Sequence, residues 1–388
     1  MKEQSFLIYN ILLFTMTICG VIASRRSRTK PTLEGRKMSS TFWTIEITIS
    51  LLLFSIIFGM RYNVGIDYSS YLNYYINGLT EKIEPLFAQI TLFCANMNFH
   101  YSIYFGILAF IQVFFFYYAF KDEKYLYPFL AFILIANMEF FSWMNIIRQS
   151  IAICIWIYSI KFIEQKKLLW YILGVVTAYL FHRSAIILLI FYPLLYKGKD
   201  YFSKTLLQFV ILASAFGIRY MFERLIGYLG DLSGLYISLL GRDFYERGYN
   251  IDALLGSFKE QTGTGIAIMF KIIVNIIIIL YSKKMKSFYN CNRFIIIYFF
   301  YFIGLITTYI FPDGFISFTR PFRYFYIFQS VILAYFLYYL NKNKSTQNIV
   351  IFWGLIISFL GIFYLKIYTS AEDSYFLYQF FFDAQYLN

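Results

Sequence analysis

The sequence predicts an all-α fold, a polytopic transmembrane helical bundle of about 12 spans, and three observations carry that expectation. Of 388 residues, 60% are hydrophobic and only 14% charged, whereas about a quarter of a soluble domain is charged. Apolar runs near or above about 18 residues, the length that crosses roughly 30 Å of hydrocarbon, recur along the chain. Lys and Arg fall in short intervals between those runs, the pattern of cytoplasmic loops in a multi-pass membrane protein. The same distribution accounts for the formal charge of +13 and leaves no need for a nucleic acid partner. No shift in composition divides the chain, so residues 1–388 read as a single integral membrane domain.

The first run, Phe6 to Ala23, is followed by its basic cluster, RRSRTKPTLEGRK at 25–37. A cleavable signal peptide has its positive charges first, so this run reads as a retained span with its N-terminus outside. The next spans are expected at 41–59, 101–120, 126–141 and 146–163, the last two joined by a short outer turn, FFSWMN. Segments 205–222, 266–282, 294–311, 321–340 and 348–366 complete the chain. Two larger outer intervals lie at about 60–100 and 223–265. The first holds EPLFAQITLFCANMNF, which reads as an interfacial helix; the second holds GRDFYERGYN and ends in TGTG. In GRDFYERGYN, Arg242 with Glu246 and Asp243 with Arg247 are spaced i, i+4, as in a solvated, self-paired helical face. Without a strand or a Walker lysine beside it, TGTG reads as an entry to the next span.

Residues 168–196 form a run whose two flanks are both rich in lysine. A hairpin of short arms, 168–180 and 184–196, keeps both flanks inside and turns at Phe181-His182-Arg183. Arms this short stop below the outer surface, so the turn should lie within protein or a water-filled cavity, with His182 in a recess.

Charge type differs between the two faces. Fifteen of the twenty Lys and Arg assigned inside are Lys, whereas nine of the other fourteen are Arg. Lysine sets orientation, and the outer arginines need another explanation. Arg148, in MNIIRQSIAICIW, has three readings: an interfacial anchor whose side chain snorkels, an ion pair with Glu139, or an anion site at the membrane edge. A guanidinium suits the last because its planar fork of donors matches phosphate oxygens and stays charged when partly dehydrated. In RYNVGIDYSSY, Asn63 and Gly65 suggest a tight turn and Asp67 the cap of the helix that follows. Alternatively Asp67 orients Arg61 or accepts a proton from a hydroxyl nucleophile. His182 is either a hydrogen-bonded packing residue or, among arginines that favour its neutral form, a proton acceptor. Arg320 and Arg323 follow the FPDG turn and share one helical face three residues apart, with Pro321 in the first turn. Two like charges on one face repel unless an anion lies near them.

Four separated segments thus deliver arginines to one face, with a carboxylate and a histidine nearby, and a lipid pyrophosphate at headgroup level satisfies that arrangement. The four cysteines form no CxxC pair, only two histidines are present, and no DxD pair occurs, so neither metal nor cofactor is expected.

RYNVGIDYSSYLNYY resembles the R-x-x-x-G-x-D-Y-x-x-Y signature of the EpsG/Wzy-like bacterial polysaccharide polymerases. MNIIRQSIAICIW resembles their N-x-x-R-Q-x-[IL]-A element, and YLFHRSAIILLIFYPLL their F-H-x-S-A hairpin, in the same order over residues 59–196. Weaker similarity extends to TRPFRYF and the aromatic tail. The resemblance implies a GT-C-like glycosyltransferase of the bacterial cytoplasmic (inner) membrane. Such an enzyme, of the O-antigen, capsule or exopolysaccharide type, joins undecaprenyl pyrophosphate-linked repeat units on the periplasmic or outer face. Its partners would be lipid-linked glycan donor and acceptor, membrane lipid and a chain-length regulator protein. By position the family motifs map to Arg61, Asp67, Arg148, Gln149 and His182. The catalytic residues expected are His182, Asp67 and Arg148; Arg61, Tyr71, Gln149, Arg320 and Arg323 are expected to bind substrate. The competing classes are a flippase for lipid-linked oligosaccharides and an acyltransferase of envelope sugars. A transporter commonly shows internal repeats and a polar path to both sides, and neither is visible here.

Overall fold

The computed structural model describes residues 1–27, 41–81, 83–219, 221, 266–311, 319–371 and 374–383. The rest of the first basic loop, the whole 223–265 interval with its charge pairs and TGTG, and the PDG of FPDG lie outside the described residues. Among the described residues every regular element is helical, and one isolated antiparallel bridge joins Arg61 to Phe380.

The helices are α1 (Lys2–Arg26), α2 (Ile45–Met60), α3 (Tyr68–Ile76), α4 (Pro85–Asn96), α5 (Tyr101–Ala119), α6 (Tyr127–Ala136), α7 (Glu139–Asn145), α8 (Ile147–Glu164), α9 (Leu168–Phe181) and α10 (Phe191–Leu195). They continue as α11 (Thr205–Arg219), α12 (Ile266–Tyr289), α13 (Asn292–Ile310), α14 (Arg323–Lys342) and α15 (Thr346–Thr369). Four of them, α1, α5, α13 and α15, are long and apolar enough to cross a membrane, and a bent pair ending in α6 and α7 makes a fifth candidate. The chain is therefore an all-helical membrane protein.

Local chemistry sets the helix ends. Pro85 and Pro128 stand in the first turns of α4 and α6, where a missing N–H costs nothing. The Ser345 hydroxyl accepts from the Asn348 N–H at 3.2 Å and caps α15. The interfacial helix expected in the first outer interval is α4, preceded by α3.

Two expectations change in detail. Residues 126–141 do not form one straight span: α6 ends at Ala136, Met138 takes a left-handed conformation (φ 59°), and the path bends by 63° into α7. The bend makes FFSWMN part of a short helix rather than a turn. The second arm of the 168–196 hairpin is mostly a 3-10 helix, Arg183–Ile190, opened by the Ala185 N–H donating to the His182 carbonyl at 3.0 Å. At about 2.0 Å rise per residue the tighter helix makes eight residues span about 16 Å, more than an α-helix would.

The chain divides into two compact units. The first comprises Met1–Lys197, Tyr289–Arg293 and Leu333–Asn388; the second comprises Gly198–Phe288 and Phe294–Ile332. In the first, α2 packs along α5, α5 along α8 and α8 along α9, while α1 lies against α2, α6 and α15. The α2–α5 contact is backbone-close: a Cβ at Gly59 would lie within 2.4 Å of the Ser102 carbonyl oxygen. Small residues allow such approaches where lipid gives helices no apolar reason to associate. The tail after α15 docks on α1 and α2. Phe381 N–H donates to the Met60 carbonyl at 3.0 Å, Tyr62 N–H to that of Gln379 at 2.7 Å, and the Tyr9 hydroxyl to that of Phe376 at 2.6 Å.

Within the second unit, buried Gln208 donates to the Phe202 carbonyl at 2.7 Å and accepts from the Tyr298 hydroxyl at 2.5 Å. Lys286 pairs with Asp200 at 2.9 Å.

Candidate functional site

The site is built from three helix ends of the first unit: the turn after α2, the α7–α8 junction and the C-terminus of α9. As α2 ends, Arg61 leaves in extended backbone, and Asn63 (φ 51°) and Gly65 (φ 94°) make the tight turn their identities suggest. A Cβ at position 65 would lie 3.0 Å from Asn145 Oδ1. Asp67 holds the N-cap position of α3, but its side chain makes no capping bond. Its backbone N–H donates to Asn145 Oδ1 at 3.3 Å instead.

Arg61 is enclosed. Its Nη1 donates to the Phe58 carbonyl at 3.4 Å and its Nη2 to the Met144 carbonyl at 3.3 Å. The rings of Phe58, Tyr68 and Phe105 surround the guanidinium at 5.0, 5.7 and 4.9 Å, offering their negative faces to the charge. Burial pushes its pKa down to about 10, still high enough to keep it cationic at neutral pH. Arg61 therefore ties the end of α2 to the C-terminus of α7.

Arg148, the second residue of α8, remains accessible over 20% of its side chain. Its Nη1 donates to Glu84 Oε2 at 2.5 Å, the Tyr71 side chain is close enough to act on it electrostatically, and it lies 5.9 Å from the Tyr74 ring. Its Nε is enclosed without a hydrogen bond. Tyr71 is itself buried, and burial pushes its phenol up, so the hydroxyl stays protonated. The carboxylate on Arg148 thus comes from Glu84 at the start of α4, whereas the sequence offered Glu139.

Glu84 links this cluster to the hairpin. It is the N-cap residue of α4, is 1% exposed, and its Oε1 accepts the Arg183 backbone N–H at 3.4 Å. The preceding residue, His182, ends α9 in extended backbone and is buried, with Nδ1 at 2.8 Å from Ser184 Oγ. A tautomer with its proton on Nδ1 donates to that hydroxyl and leaves Nε2 as the basic nitrogen.

The structure therefore brings Arg61, Asp67, Tyr71, Arg148 and the His182 turn together around Asn145 and Glu84. Gln149 is buried on α8 beside Arg148. Arg320 and Arg323 belong to the second unit, where Arg320 opens a 3-10 turn containing Pro321 and Arg323 starts α14; both are half-buried. Sequence reasoning missed Glu84, Asn145, Tyr74 and Ser184. Asn145 and Ser184 had a signal, as the first residue of the N-x-x-R-Q element and the serine of the F-H-x-S-A element.

All four cysteines are buried thiols. Among the described residues no group of three His, Cys, Asp or Glu side chains is placed to hold a metal ion.

Comparison with known proteins gives a match at the level of the family. The model described as EpsG family matches residues 44–380, most of the chain and all of the site just described. No curated protein and no solved structure matches.

Proposed function

Because the chain belongs to the EpsG family of Wzy-like polysaccharide polymerases, we propose that it is a glycosyltransferase joining undecaprenyl pyrophosphate-linked oligosaccharide repeat units. The reaction is assigned to the periplasmic or outer face of the bacterial cytoplasmic membrane, in a GT-C-like bundle of about 12 spans. One observation supports this reading most: Arg148, a partly accessible side chain at a helix start, is bridged by Glu84 to the backbone next to His182. On this reading a phosphate-binding cation stands next to a proton acceptor.

In the proposed step, a hydroxyl oxygen of the incoming repeat unit bonds to the anomeric carbon of the reducing-end sugar of the growing chain. The bond from that carbon to the phosphate oxygen breaks, its electron pair leaves with undecaprenyl pyrophosphate, and the hydroxyl proton passes to His182 or to the Asp67 carboxylate. The leaving group is already activated, so catalysis consists of positioning two lipids and stabilising charge on the departing pyrophosphate. Arg148 supplies that stabilisation, with Tyr71 and Gln149 beside it against substrate. Arg61, spent on carbonyls and rings, is assigned to hold the 61–67 turn. Within the second unit, Arg320 and Arg323 are the candidates for phosphate. The scheme uses no metal or cofactor.

Deleting Arg148 in cells tests this. With Arg148→Ala in place of the wild-type gene, exported repeat units should accumulate on lipid carrier, unpolymerised. If repeat units fail to reach the outer face, the protein is a transporter and the proposal falls.

A further inference from the structure

Glu84 lies outside the recognised motifs, yet its carboxylate touches two of the three motif segments. Its Oε2 meets Arg148 Nη1 at 2.5 Å and its Oε1 the Arg183 N–H at 3.4 Å, while the residue itself is 1% exposed. A carboxylate buried at this depth is held only by partners that repay its lost hydration, here a guanidinium and a peptide N–H. Its backbone is fixed by the start of α4, where Pro85 sets the entry angle, and α4 packs on α9. The Arg148 fork is thus pinned at one nitrogen, and the His182 turn is pinned at the adjoining peptide.

We propose that Glu84 is a positioning residue: it holds the phosphate-binding fork of Arg148 and the His182 turn in one register, so that leaving-group stabilisation and proton acceptance act on the same sugar. The proposal rests on the functional reading above. Glu84 touches no substrate in this scheme and acts through Arg148 and His182. With its carboxylate gone, Arg148 keeps its charge but loses its fixed orientation, and misplacement by about 1 Å costs on the order of 10²-fold in rate.

A double-mutant cycle decides it. Glu84→Gln, Arg148→Ala and the pair are assayed in detergent with a synthetic undecaprenyl pyrophosphate repeat unit. The expected result is a fall in kcat of about 10²-fold for Glu84→Gln with KM little changed. The pair should then be no worse than Arg148→Ala alone, because both changes remove one unit. Hydrogen exchange supplies a readout that needs no activity: the amides of residues 181–186 should exchange faster in Glu84→Ala than in the wild type. Multiplicative losses in the pair would mean that Glu84 acts independently of Arg148. An unchanged kcat with a lowered melting temperature would reduce Glu84 to a packing role, and unchanged exchange at 181–186 would remove its hold on the turn; each overturns the proposal. If Glu84→Gln does not fold, Glu84→Asp, whose shortened carboxylate can keep only one of the two contacts, replaces it in the cycle. A wild-type protein that makes no polymer defeats the functional reading, while the exchange measurement still tests Glu84.

Discussion

Asn145 Oδ1 accepts the backbone N–H of Asp67 at 3.3 Å, joining two motifs that stand 78 residues apart in the chain. The bond explains why an asparagine precedes Arg148 by three residues: its amide carries the 61–67 turn to the start of α8. Arg61 makes the same connection from the other side through the Met144 carbonyl. Asn145→Ala should therefore cost about 1 kcal/mol of stability, read as a lower melting temperature in detergent, while Asn145→Asp, which retains an acceptor, should lose less.

Arg148→Lys keeps a positive charge and loses the planar fork. The account expects kcat to fall on the order of 10²- to 10³-fold, because an ammonium cannot pair with Glu84 and with phosphate in the same geometry. Full activity in Arg148→Lys would reduce the residue to a point charge.

His182→Gln should lower kcat on the order of 10²- to 10⁴-fold if the imidazole takes the hydroxyl proton. The pH–rate profile of the variant should differ in shape from that of the wild type. A melting temperature that drops while the pH–rate profile keeps its shape would assign His182 to packing against Ser184.

Arg61→Met should act on stability. It leaves the Phe58 and Met144 carbonyls without their donor, at about 1–3 kcal/mol, and removes the cation from the aromatic cage. The measurement is the melting temperature set beside KM: the first should fall and the second should hold in protein that remains folded.

Gly59→Ala tests the packing beneath the site. The new Cβ would meet the Ser102 carbonyl, a backbone atom that can move only with α5. Overpacking of this kind costs about 1–3 kcal/mol, whereas Gly354→Ala, with open space around the added methyl group, should be neutral.

The apolar runs made the helices legible, because in lipid every backbone polar group must be satisfied within its own segment. A helix starts within a few residues of each expected segment. What periodicity could not show was a conformational break with no glycine or proline to mark it. Met138 takes a left-handed φ between Asn137 and Glu139, and the 63° bend there turns one expected span into two helices. The tail from 374 to 383 was equally hidden, since a single bridge at Arg61 and Phe380 carries no strand pattern.

In the site, the motif residues were legible as chemistry-bearing groups, and their partners were not. The ion pair of Arg148 lies 64 residues upstream, at a Glu-Pro step that reads as nothing more than a helix entry. Contacts of that length depend on how α4 packs on α9, which no local pattern encodes. For the same reason Arg61 reads in sequence like Arg148, a lone outer arginine, although the fold encloses one fully and leaves a fifth of the other's side chain accessible.

The measurement closest to the central claim is incubation of the purified protein in lipid nanodiscs with a synthetic undecaprenyl pyrophosphate-linked repeat unit. Chains of two or more repeats are expected, with one undecaprenyl pyrophosphate released for each new linkage, and both slowed on the order of 10²- to 10³-fold in Arg148→Ala. Release of undecaprenyl pyrophosphate without chain growth, or unchanged substrate under conditions where the protein is folded, would contradict it.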